Sequence, residues 1–125
     1  MSITHNTAVR NLLAGVVKTA HETGGGTAKL RLRDSATTVV DFNLAATPFG
    51  AASSGTITAN SLPIEAEAVA SGEIDNFITL DKAGTQILAG SVTAVGMGGD
   101  IEVTNTNVAN GQDCELETLT YTSPL

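Results

Sequence analysis

The sequence predicts a mainly β fold, a β-sandwich or jelly-roll-like barrel of about eight short strands, behind one N-terminal amphipathic α-helix. Two patterns predict it. Val9, Leu12, Leu13, Val16, Val17 and Ala20 recur at i, i+3, i+4, i+7, i+8 and i+11, which gathers their apolar side chains on one face of a 3.6-residue helix. After Gly24 the apolar period changes to two, in short runs rich in threonine, valine and glycine at roughly regular spacing.

Thr4 or Asn6 caps the helix with a side-chain oxygen, and the helix ends by Thr23. The run Gly24-Gly25-Gly26 stops it, because three successive glycines carry a high ordering cost. One structural domain is expected, with the helix in residues 1–23, a glycine hinge at 24–27 and the β-sandwich in 28–125. Lys29-Leu30-Arg31-Leu32-Arg33 alternates strictly, so Leu30 and Leu32 share one face of a strand and three cations the other. A turn at Asp34-Ser35-Ala36 leads to a second strand over 39–44, with Val40, Phe42 and Leu44 inward. Residues 45–55 are small and turn-rich, a long surface loop with Phe49 as its one anchor. A third strand follows through 56–60. Pro63 lacks a ladder donor, which assigns 62–64 to a sheet edge or a strand start. Residues 65–70 read as a strand with Glu65 and Glu67 in solvent. The clearest hairpin joins 76–80 and 85–89 through a turn at 81–84. A glycine loop at 96–99, a period-two run at 100–104, a turn at 109–112 and a final strand from Cys114 through Thr122 complete the chain.

Charge and composition bound the partners. The chain has 125 residues, with 13 Asp and Glu against 6 Lys and Arg, a formal net charge of −7. Its mean field repels nucleic-acid phosphate and anionic membrane surfaces, so no direct nucleic-acid or membrane partner is expected. Only 3% of residues are aromatic and Trp is absent, which removes the stacking platforms used for single-stranded nucleic acid and for sugars. A lone Cys114 forms no internal disulfide, and the N-terminal residues lack the basic and apolar blocks of a secretory signal, so folding in a cytoplasm is expected. The apolar runs fall far short of the ~20 residues that span a bilayer.

Few residues suggest chemistry. His5 and His21 are sixteen positions apart, ~24 Å along one helix, too far to share a metal, and both read as surface histidines. Cys114 lies in a strand pattern without a histidine near it in sequence and reads as a buried structural thiol. Gly24-Gly25-Gly26-Thr27 follows a helix, the reverse of a phosphate-binding loop, and Gly96-Met97-Gly98-Gly99-Asp100 holds one acidic residue where a calcium cage needs several. The many carboxylates alternate along strands as a solvated face does. No catalytic, cofactor-binding or metal-binding residue is expected, and the chain reads as non-enzymatic. The row Lys29, Arg31, Arg33 repels itself unless an acidic group lies opposite, on another strand of this chain or on a neighbouring subunit.

Several segments, taken in order and spacing, resemble a family of small tailed-bacteriophage and prophage virion proteins associated with capsid cement or decoration. They are Thr7-Ala8-Val9-Arg10-Asn11, the small-residue link before Ala28-Lys29-Leu30-Arg31-Leu32-Arg33-Asp34, the run from Pro48-Phe49-Gly50 to Thr58-Ala59-Asn60, the hairpin up to Gly90, and the terminal Val108-Ala109-Asn110-Gly111 turn with its last strand. The resemblance implies a protein on the outside of an assembled icosahedral shell, often at threefold or quasi-threefold positions, that reinforces contacts between major capsid subunits. It further implies the major capsid protein as partner and a homo-oligomer, with a trimer favoured. The interface would draw on the helix face (Val9, Leu12, Leu13, Val16, Val17), the strand cations (Lys29, Arg31, Arg33) and Phe49. Two other classes compete: a tail-tube or head-completion component, and a carbohydrate-binding module, against which the lack of Trp and the single Tyr121 count.

Overall fold

In the computed structural model, which describes residues 6–116 and 119–123, the helix begins where its cap demands. Asn6 is extended, and its Oδ1 accepts the Val9 N–H at 2.9 Å, so α1 runs Thr7–His21. His5, and Thr4 as an alternative cap, lie outside the described residues.

The strands are β1 (Lys29–Asp34), β2 (Thr37–Asn43), β3 (Thr56–Thr58), β4 (Ile64–Glu67), β5 (Gly72–Glu73), β6 (Asn76–Leu80), β7 (Gln86–Ala94), β8 (Ile101–Val103), β9 (Asn107–Val108), β10 (Asp113–Leu116) and β11 (Thr120–Thr122). The fold is therefore mainly β with one N-terminal helix, as the two periodicities predict. The strands outnumber the expected eight for two reasons. β5 and β9 are two-residue pairs too short to show a period, and the expected final strand over 114–122 is split into β10 and β11, which pair with different partners.

Five strands form one sheet in the order β2-β1-β6-β7-β8, and β4–β10, β3–β11 and β5–β9 form antiparallel pairs. Within the sheet only the β7–β8 pair is parallel. So short a return, over residues 95–100, is held by side chains. Asp100 Oδ2 accepts the Ser91 N–H at 3.0 Å while the Asp100 N–H donates to Ser91 Oγ at 3.1 Å, pinning the far end of the loop beside the middle of β7.

The alternation read in β1 holds, with Leu30 and Leu32 buried. In β2 the ladder shifts between Leu32 and Arg33, whose partners are Val40 and Thr38, so Val39 is the extra residue of a bulge and is buried beside Val40. Leu30, Leu32, Val40 and Phe42 pack with Ala14 of α1, Phe49 and Ile57 in one core. Pro63 immediately precedes β4, a strand start as its missing donor requires.

The glycine segment after α1 is docked. The Gly26 N–H donates to Lys82 O at 2.9 Å, and Gly24, at φ +107°, lies so close to Lys82 and Ala83 that a Cβ would strike their backbone. These glycines allow close approach to the β6–β7 turn.

Candidate interaction surface

The helix packs on a face other than its most apolar one. Ala14 and His21 are buried and Val17 is packed against the core, whereas Leu12 and Val16 are 71% and 67% exposed and Val9 and Leu13 are each 37% exposed. At about 100° per residue, the buried face centred on Ala14, Val17 and His21 is rotated by roughly 110° from the stripe, so of the stripe residues assigned to an interface Val17 is turned inward against the core instead. Polar anchors set the rotation. Asn11 Oδ1 accepts the Gly55 N–H at 2.7 Å, and the Arg10 side chain lies over Gly55, where a Cβ would come within 2.9 Å of the guanidinium.

The strongest anchor is His21. It is fully buried, not the surface histidine that its sequence surroundings suggested. Its Nδ1 lies 2.8 Å from Val17 O, and because a carbonyl only accepts, Nδ1 carries the proton. The other nitrogen, Nε2, lies 2.7 Å from Thr79 Oγ1, which also accepts the Leu88 N–H at 3.0 Å. The relay is closed with every group satisfied: the Leu88 N–H donates to Thr79, the Thr79 hydroxyl to His21, and His21 to Val17. Burial lowers the pKa of His21, opposed by the Val17 carbonyl and the charge of Asp81. Phe49 meets the imidazole edge to face, with ring centroids 4.9 Å apart. The anchoring role read for Phe49 is therefore directed at the core, and its full burial withholds its side chain from any outside partner.

The cation row separates into different roles. Arg31 makes a bidentate pair with Asp41 on β2, Nε to Oδ1 at 2.8 Å and a terminal nitrogen to Oδ2 at 3.1 Å, so the acidic group opposite it belongs to this chain. The Arg33 Nε–H donates to Asn76 Oδ1 at 2.8 Å. Lys29 is half-buried beside Asn43 and Leu80. Thus the row is largely engaged within its own sheet, while Val9, Leu12, Leu13 and Val16 face outward together.

Cys114 is half-buried on β10; burial, with the neighbouring Asp113 charge, raises its thiol pKa, which disfavours the nucleophilic thiolate near neutrality. Among the described residues no helix is long and apolar enough to cross a membrane. The sequence missed His21, Thr79 and Asn11, which fix the helix. The available signals were the spacing Ala14, Val17, His21 on one helical face and a hydroxyl, Thr79, in the otherwise apolar run Phe77-Ile78-Thr79-Leu80. Compared with protein-family models, curated proteins and solved structures, the chain matches none.

Proposed function

We propose that the chain is a non-enzymatic virion component that binds the outer surface of an assembled phage capsid, as a homo-oligomer, and stabilises contacts between major capsid subunits. The observation that carries this reading is an apolar helix face, Val9, Leu12, Leu13 and Val16, turned to solvent on a helix that other residues lock to the β framework. The ordered resemblance of its segments to capsid cement and decoration proteins supports it. Full burial of a Leu or Val side chain contributes ~1.5–3 kcal/mol, so Leu12 and Val16, two thirds exposed, together offer roughly 2–4 kcal/mol to whatever covers them. That is weak for one copy in solution. On a lattice the same contact repeats, and a protein that binds the assembled array better than free subunits stabilises the array by linkage.

The test uses virus particles assembled with and without this chain. Particles lacking it should release DNA or break at a lower temperature, and adding purified protein back should restore the loss. Equal thermal stability of the two particle populations contradicts the proposal, and a copy number of about a dozen or fewer, the count of a ring rather than of a lattice, assigns the chain to a tail or connector position instead.

A further inference from the structure

Residues 101–105 and 112–116 line one groove of about 520 Å³, which also reaches Leu30 and Leu32 of β1 and Phe42 of β2. Successive side chains of a strand point to opposite faces, yet all three residues of β8 and all four of β10 line the groove, so strand edges border it. Both walls are such edges. β8 is the terminal strand of the five-stranded sheet, β10 pairs only with β4, and no ladder joins β8 to β10 among the described residues. The floor is apolar, formed by core side chains such as Leu32, Phe42, Ile74 and Leu116. The rim is acidic: Glu102, Asp113 and Glu115 line it, and among the described residues no Lys, Arg or His does. Behind that rim, Asp113 stands directly opposite Glu67 and Glu115 opposite Glu65 in the β4–β10 ladder. Like charges so placed repel, and a cation brought to the rim relieves the repulsion.

We infer that this groove accepts one extended strand of a partner protein, apolar at the positions over the floor and basic at the positions that meet the rim. Strand edges supply main-chain hydrogen bonds for affinity, and alternating floor and rim contacts supply selectivity. The occupant comes from a different protein. All six Lys and Arg of this chain are Arg10, Lys18, Lys29, Arg31, Arg33 and Lys82. They sit in α1, in the interior strand β1 and in the turn after β6, so a second copy has no basic extended segment to offer without unfolding. The inference stands apart from the capsid reading, since it rests on a groove away from the exposed helix face.

The full chain, labelled with ¹⁵N, is titrated with the peptide Ac-Lys-Val-Arg-Val-Lys-NH₂ and followed by NMR. Saturable shifts are expected at the amides of 101–105 and 112–116, with slower hydrogen exchange in both walls. The isosteric double variant Asp113→Asn with Glu115→Gln should keep the folded spectrum and bind about tenfold more weakly, and the neutral peptide Ac-Ser-Val-Ser-Val-Ser-NH₂ should bind more weakly to the unaltered protein. Shifts absent from both walls at millimolar peptide, or equal affinity for the neutral and basic peptides, overturn the inference. The neutral peptide provides this second test whatever the variant does to folding.

Discussion

His21 links α1 to the sheet through a relay that works only while its ring is neutral. Adding a proton at Nε2 turns an acceptor into a donor facing a hydroxyl that already accepts from Leu88, and places a charge in a buried site. The folded pKa lies below the ordinary histidine value of about 6.5. Between the two values the unfolded chain holds more protons than the folded one. The stabilisation is thus complete above about pH 6.5 and is lost as pH falls through the lower folded value. Thermal unfolding followed from about pH 7.5 down to about pH 5 should show a falling Tm, and the His21→Gln variant should show a smaller slope over the same range. Thr79→Val should cost about 1–3 kcal/mol by leaving the buried His21 Nε2 and the partly buried Leu88 N–H unsatisfied; an unchanged Tm would show that the relay contributes nothing. None of this was legible locally, because His21 lies 58 positions from Thr79 and only tertiary packing brings them together.

At the scale of elements, the sequence contained the helix, its Asn6 cap, the β1 alternation, the strand start after Pro63 and the β6–β7 hairpin, since each is determined by local spacing and backbone chemistry. It did not contain the rotation of α1. The apolar-stripe rule assumes that the most apolar face is the buried one, whereas here Asn11 and His21 hold the small side chain of Ala14 against the core. Nor did it contain the parallel β7–β8 pair, because a short link ordinarily reads as a hairpin and the Ser91–Asp100 contacts that reverse the chain twice are specific to this pair. The rotation makes a contrast that stability measurements can check. Leu12→Ser and Val16→Ser should shift folding stability by no more than about 0.5 kcal/mol, as exposed positions do. Ala14→Leu should cost about 1–3 kcal/mol by overpacking the helix seat. The opposite ranking would mean that the apolar stripe packs inward.

For the molecule as a whole, the sequence conveyed the fold class and the acidic balance, and the candidate surface only in part. Of the residues assigned to a contact, Phe49 and Val17 are withdrawn to the core and Arg31 and Arg33 are engaged within the sheet, while Val9, Leu12, Leu13 and Val16 remain outward. What emerges is a β framework that holds one helix with much of its apolar stripe turned to solvent, in a chain whose formal charge is −7. The central claim is that this helix face docks onto a repeating protein array. The most direct measurement is the number of copies retained on purified particles when the Leu12→Ser, Val16→Ser double variant, verified as folded, replaces the unaltered protein. Loss of most bound copies at equal protein concentration is the predicted result, and full occupancy by the double variant would contradict it.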